Sequence, residues 1–564
     1  MDGVDLMSSR PKISKSARVE AQLLSIVEDI SKHSHTYQKD FSFYWSKKSP
    51  VTAASVYNVF ATDSDVVLDP FIGSGSALYG LKLFPNKIKF IGVDVNQLPI
   101  EFIHFNMNSL SPTQLVEISS TVKKFIQENE SRYLYHLNEG EDPFVFKKAH
   151  LNRESKKIEP TLFVFSRNKE KLTLTPEDGE KFIYARNEYL NRINSAIILN
   201  KSLPDLDLAT NSRIAIKSGM KLSDIFSPIS FNLLLKYRDL ATSDSNLAIV
   251  LSSCLHLCRL TDTRSQSQFP FWVPTRDAVD RNIFDLLQGK IELLAKLNKG
   301  INVKLDTANA VKRVDTFGNL NSATGPAYLL LHTPIQKITD AQIPDESVDL
   351  VFTDPPYFDQ VAYSEYLVIW EFFTGIKSDL ENEIIQSNRE KFASDRNNYL
   401  KLMSEGFSVI SKKLKESHLA IVYFKDSKLN NISDFLQIME NSNLEYLHQV
   451  HVAKSKFTYK QNTSQESTVE GDSLYVFRKV KNLRIKKLVT LNKMELDLHI
   501  LSLIDEYLAT QGSSTPSKIL DDFLIPRLWK SKMLHLITSD SVYQKLINEN
   551  YVIDKETRKV IGRI

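Results

Sequence analysis

The chain has 564 residues and a mass of 64.5 kDa, a length that implies two to four domains and room for large cores. With 42% hydrophobic and 25% charged residues it is neither disordered nor fibrous, and its two cysteines exclude a disulfide scaffold or a Cys₄ or Cys₃His zinc module. Its 71 Lys and Arg against 68 Asp and Glu leave +3, too little to imply nucleic acid by itself.

Residues 1–108 open on MDGVDLMSSRPKISKSARVE, which lacks the short apolar core of a signal peptide. No window anywhere reaches 18 apolar residues, and with cysteine almost absent a reducing, cytoplasmic location is expected. Residues 17–60 read as mostly helical, interrupted by an aromatic and basic loop, Phe41-Ser-Phe-Tyr-Trp-Ser-Lys-Lys48. Tyr44, Trp45 and Lys47 in that loop suit the covering of a ligand or contact with a phosphate, and equally a packing cap. Glycine is scarce at 17 residues, yet Gly73, Gly75, Gly80 and Gly92 fall together, which marks a site. Val66-Val-Leu-Asp-Pro-Phe-Ile-Gly-Ser-Gly-Ser76 reads as a buried strand ending in a glycine loop that opens a helix. Gly73 and Gly75 would let the backbone approach a ligand and present N–H groups at the helix start. The order Asp69-Pro70-Phe71-x-Gly73-x-Gly75 differs from the pyrophosphate-binding GxGxxG, because a carboxylate there repels phosphate. Asp69 instead suits a cationic ligand end, such as the amino group of a methionine moiety. The next strand, Ile91-Gly-Val-Asp-Val-Asn96, ends in Asp94, placed to accept hydrogen bonds from both hydroxyls of a ribose, with Asn96 beside it. A turn with a capping Asp explains the glycines alone; Asp69 and Asp94 together point to a cofactor.

Residues 109–325 are polar and heterogeneous. TVKKFIQENESRYLYHL reads as helix, TLFVF as strand, and Asn232–Leu240 and Leu247–Leu260 as packed helices. Cys254 and Cys258 share a helix face while His256 points elsewhere, so a core helix is expected there rather than a metal site. The polar stretch from Leu260 to Arg276 carries the Arg, Ser and Gln types that contact phosphates and base edges; an interdomain connection looks similar.

In residues 326–480 strands and helices alternate again, through AYLLLHT, DLVFTDPPY, a helical Tyr399–Leu414, HLAIVYF, LEYLHQVHVA and SLYVFRK. Val348-Asp-Leu-Val-Phe-Thr-Asp-Pro-Pro-Tyr357 is a buried strand whose two prolines force the chain out of the sheet. Asp354 and the Pro355 carbonyl would accept both N–H bonds of an exocyclic amine on a nucleobase, Pro356 holding the loop rigid and Tyr357 stacking on the ring. Lys454–Asn462 is a basic and aromatic connection that suits a strand of DNA or a solvated hairpin equally. Residues 481–564 hold 14 Lys and Arg against 10 Asp and Glu and end in the strand pair YVID…KVIG, the order of a winged-helix-like or a docking module.

DPFIGSG with GVDVN, followed by TDPPY, resembles the S-adenosylmethionine-dependent amino-methyltransferases that act on adenine N6 or cytosine N4 in DNA. The resemblance implies an α/β fold, a Rossmann-like seven-stranded methyltransferase sheet interrupted by a large inserted domain. It places Asp69, Phe71, Gly73, Gly75 and Asp94 at S-adenosyl-L-methionine and Asp354–Tyr357 at the target base. It also implies double-stranded DNA with a flipped base as partner, restriction or phage-defence subunits as company, and no membrane. FSFYWSKK ahead of DPFIGSG looks like the large, insert-bearing bacterial enzymes. An RNA base methyltransferase of the tRNA guanine-N2 type, and a silent methyltransferase-like binding subunit, are the alternatives. Adenine N6 is favoured by DPPY over an SPPY-type loop. In such folds the third strand often carries an acid facing the cofactor adenine; the equivalent Leu329–Pro334 has none, so that contact is unassigned.

Overall fold

The computed structural model describes residues 21–27, 41, 47–84, 86–107, 110–138, 140–152, 158–196, 222–262, 277–304, 311–358, 363–387, 393–452, 472–554 and 556–564. Helix α1 (Pro50–Phe60) starts where the Ser49 side chain accepts the Val51 N–H and Pro50 takes a first-turn position that needs no N–H. All four residues of β1 (Val66–Asp69) are buried, as a strand covered on both faces requires. Helix α2 (Ser76–Gly80) gives way to a 3₁₀ turn at Leu81–Leu83, shorter than SALYGLKLF suggests. Gly80 lies against α1, where a Cβ would stand 2.6 Å from Ala53 Cβ. Strand β2 (Lys89–Asp94) and helix α3 (Gln97–Met107) follow.

The chain returns to the sheet as β3 (Lys312–Arg313), β4 (Ala327–His332) and β5 (Val348–Thr353), then helices α4 (Tyr363–Thr374) and α5 (Arg396–Lys413). Strand β6 (Leu414–Tyr423), helix α6 (Leu429–Asn441), β7 (Leu444–Val452) and β8 (Asp472–Lys479) complete it. The order is β7-β8-β6-β5-β1-β2-β4-β3, parallel throughout except for β8. This is a mainly parallel, Rossmann-like sheet, with the two-residue β3 adding an eighth strand to the seven expected. Leu68 pairs with both Ile91 and Val351, so Asp69, Asp94 and Asp354 emerge along one carboxyl edge.

Between α3 and β3 the described residues build a six-stranded antiparallel sheet whose long strands are Phe144–Asn152 and Glu159–Arg167. The helix begun at Pro112 stops at Asn129, and Leu134–Tyr135 pair with the first of those strands instead of continuing it. Tyr133 and Tyr135 both stack on Phe146, at 5.6 and 5.7 Å, a burial that helix geometry would not reach. Cys254 and Cys258 are buried in helix Ser245–Cys258. Helix α4 packs into the same core: Trp370 is 1% exposed and its indole N–H donates to the Ser252 carbonyl at 2.9 Å. Each such buried aromatic is worth about 1.5–3 kcal/mol.

Residues 493–564 form helices Lys493–Gln511, Ile525–Lys530 and Asp540–Asn550, a π-helical turn at Leu520–Leu524, and the strand pair Tyr551–Ile553 with Val560–Arg563. Leu520, Leu524 and Trp529 share one core with Phe435, Met439 and Leu444 of the large sheet's α6–β7 layer. Among the described residues no helix is long and apolar enough to cross a membrane.

Candidate active site at the carboxyl edge of the sheet

The ends of β1, β2 and β5 open on one cleft. Asp69, Pro70, Phe71, Gly73, Asp94 and Asn96 line it from the first two strands, and Asp354, Pro355 and Pro356 from the loop after β5. The two strand-end carboxylates are fixed by the local chain. Asp69 Oδ1 accepts the Thr353 hydroxyl at 2.6 Å and the Phe71 N–H at 3.1 Å. Asp94 accepts the Asn96 N–H at 2.8 Å on Oδ1 and the Gly73 N–H at 3.0 Å on Oδ2. Burial pushes both carboxyls up to about 7 against those hydrogen bonds, and neighbouring acids add to it, Asp354 and Asp94 for Asp69 and Glu383 for Asp94.

The glycines act differently from the sequence reading. Gly73 has φ +45° and Gly75 +82°, so the loop needs both, but their N–H groups are turned inward, to Asp94 and to the Ile72 carbonyl. Gly75 stands outside the cleft lining, against Ile103, and Gly92 leaves room for Ile72, whose Cδ1 would be 2.3 Å from a Cβ there. Asn96 Oδ1 is committed to the Ser364 hydroxyl and the Asp379 N–H, both at 3.0 Å, which ties the start of α4 and the chain after it to β2.

In the loop after β5, Tyr399 donates to the Pro356 carbonyl at 2.8 Å, while the Pro355 carbonyl has no hydrogen-bond partner among the described residues. Tyr357 is absent from the cleft lining: its hydroxyl donates to Asp354 Oδ1 and its ring meets Phe424 edge-on at 5.1 Å. Burial raises Asp354 above the ordinary carboxylate range, with Lys48 and the Tyr357 hydroxyl opposing.

Three cleft or cleft-edge side chains were not singled out from the sequence. Lys48 stands between Asp354 and Asp472, and Glu383, 5% exposed, lines the cleft and accepts the Ser364 N–H at 2.8 Å. Gln336, just past β4, donates to the Asn382 carbonyl at 3.0 Å, so the 379–384 segment closes the side where β4 offers no acid. Tyr44, Trp45, most of Leu260–Arg276 and all of Lys454–Asn462 lie outside the described residues.

No family model matches the chain, and no curated protein does. Among solved structures, one similar chain is a Thermus thermophilus protein provisionally assigned as a DNA modification methylase (14% identity, TM-score 0.16, 29% of this chain and 61% of that one). Another is the rRNA methyltransferase AviRa of Streptomyces viridochromogenes (8%, 0.25, 79% and 92%). A third is a Listeria monocytogenes protein provisionally assigned as a class I S-adenosylmethionine-dependent methyltransferase (13%, 0.17, 39% and 61%). The chain thus spans about three fifths of the length of the first of these.

Proposed function

We propose that the chain is an S-adenosylmethionine-dependent DNA methyltransferase that modifies an exocyclic amine, adenine N6 before cytosine N4, of a base turned out of its stack. The observation that carries this reading is the convergence, in one cleft, of Asp354, Pro355 and Pro356 with the two buried carboxylates of the glycine-loop edge. The donor set fits the cofactor: Asp69 and Asp94 are acceptors held in a site that burial makes costly to leave charged, and an amino group and a ribose diol are the partners such acceptors need. When bound, the cofactor supplies an electrophilic methyl group.

The protein's own residues do the rest. Asp354 and the Pro355 carbonyl accept the two N–H bonds of the target amine, which turns its lone pair toward the methyl donor. The Tyr357 hydroxyl must release Asp354 Oδ1 for that, freeing its ring to stack on the base. No thiol nucleophile is called for, and both cysteines are buried in the inserted region's core.

Transfer of tritiated methyl to unmethylated bacterial DNA and to tRNA tests the reading, with Asp354→Ala as control. Label is expected in DNA as N6-methyladenine and absent with the variant, which should still bind S-adenosylhomocysteine. Label in tRNA alone would replace the substrate; label in neither, with cofactor still bound, would remove the enzyme.

A further inference from the structure

The loop after β5 is expected to present Asp354 as a hydrogen-bond acceptor, yet this carboxyl sits where ionisation is disfavoured. Asp69 and Asp472 both face it, so three acids share the wall, and Tyr423 and Tyr357 face it with neutral hydroxyls. Among the described residues one cation enters this group. Lys48 Nζ is 3.0 Å from Asp472 Oδ2 and 3.5 Å from Asp354 Oδ2, with only a fifth of its side chain exposed. It also lies over the Tyr423 ring at 4.8 Å. Its backbone is fixed independently, because the Lys48 carbonyl accepts the Ser76 hydroxyl at 2.8 Å and Ser49 caps α1. Lys48 therefore joins the glycine-loop half of the cleft to the Asp354 half, and Asp472 arrives from the start of β8 to anchor it.

Resting on the methyltransferase reading, we infer that Lys48 is a positioning residue: its ammonium, anchored by Asp472 and facing Asp354 Oδ2, keeps Asp354 ionised, so that Oδ1, once Tyr357 releases it, accepts from the target amine. A protonated Asp354 would present an O–H donor on one oxygen and lose that acceptor. Removal from water works against the lysine's charge, but Asp354 and Asp472 hold it protonated, above the ordinary lysine range. The methyl carbon bonds to the amine nitrogen as its bond to sulfur breaks, the electron pair staying on sulfur. The nitrogen then sheds one proton, for which ionised Asp354 is the acceptor in contact. Lys48 touches neither reacting atom; it acts through Asp354.

Two measurements on the full chain decide this. In the first, methyl transfer to unmethylated DNA is followed across about pH 5.5 to 9.5 for the wild type, Lys48→Met, Lys48→Arg and Asp472→Asn. The acid limb should move up by at least about one pH unit in Lys48→Met, a tenfold change in proton affinity, with activity recovering at alkaline pH. Lys48→Arg should restore the limb, and Asp472→Asn should move it the opposite way, since removing a neighbouring anion favours ionised Asp354. Affinity for S-adenosylhomocysteine should stay within about twofold throughout, which also reports folding. In the second, carboxyl ¹³C NMR of aspartate-labelled protein, with the Asp354 signal assigned by its loss in Asp354→Asn, should show the same displacements without turnover. A uniform loss of rate with an unmoved limb, or an Asp354 midpoint unchanged in Lys48→Met, overturns the inference. If the wild type labels no nucleic acid the methyltransferase reading fails, and the NMR titration still decides the role of Lys48.

Discussion

Glu383 and Asp94 are two carboxylates that nothing in the linear chain relates, brought side by side because Ser364 and Asn96 pin the segment after α4 onto β2. Glu383 faces the same cleft beside the end of β4, where the sequence offered no acid for the cofactor. Glu383→Gln keeps an oxygen for the Ser364 N–H but loses the charge, and a hydrogen bond to a charged acceptor is worth about 1.5–3 kcal/mol. It should therefore weaken S-adenosylhomocysteine binding about tenfold or more by calorimetry; an unchanged Kd would remove Glu383 from the site. Asp69, Asp94 and Asp354 were legible because each ends or directly follows a strand within a short motif whose residue types state their chemistry. Lys48, Asp472 and Glu383 were not: a lone lysine before a helix, the first residue of a strand and an acid in a polar loop acquire meaning only when folding brings them to one edge.

At the level of elements, the long apolar runs read correctly as strands, and one misread stretch, YLYHL, is where two tyrosines find a tertiary stacking partner that local periodicity does not contain. The π-helical turn at Leu520–Leu524 is another element that the sequence reading did not anticipate. It carries Asp521, fully buried, which accepts Lys425 Nζ at 2.6 and 2.9 Å and His451 Nδ1 at 2.7 Å, just past β6 and near the end of β7. Asp522 accepts the His451 N–H at 2.6 Å beside it. Asp521→Ala leaves the Lys425 ammonium without this carboxylate and should cost about 3–5 kcal/mol in urea unfolding. Phe424, next to Lys425, stacks on Phe435 at 4.0 Å and supports the Tyr357 ring, so hydrogen exchange at the end of β6 should rise in the same variant. Exchange unchanged there would confine Asp521 to docking the last helices.

For the whole molecule, the buried acids set a pH dependence of stability. Asp69 and Asp94 lie at about 7 in the folded chain against an ordinary 3.8, so the folded state binds more protons than the unfolded state between those values. Stability falls as pH rises through that range and stays reduced above it. His104 and His256, which burial lowers to about 4 and about 3, act in the opposite sense, but only below their ordinary 6.5. The two aspartates are therefore free of that opposition from about pH 6.5 to 7.5. There the melting temperature of ligand-free protein should decline, and Asp69→Asn with Asp94→Asn should flatten the decline in scanning calorimetry. S-adenosylhomocysteine, by donating hydrogen bonds to ionised acceptors, should raise the melting temperature more at about pH 8 than at about pH 6; equal gains would show that the carboxylates meet it protonated.

Helix α4 follows the Asp354–Tyr357 loop in the chain but packs in the inserted region's core, with Trp370 bound to the Ser252 carbonyl. An engineer exchanging that region between related proteins therefore faces four junctions rather than two. A chimera that replaces only residues 110–304 strands Trp370 and Phe373 against a foreign surface. One that carries residues 363–376 along as well imports Ser364, the donor that fastens Asn96 and Glu383 to the cleft. The inserted region and the cleft are inherited here as a single interleaved cassette.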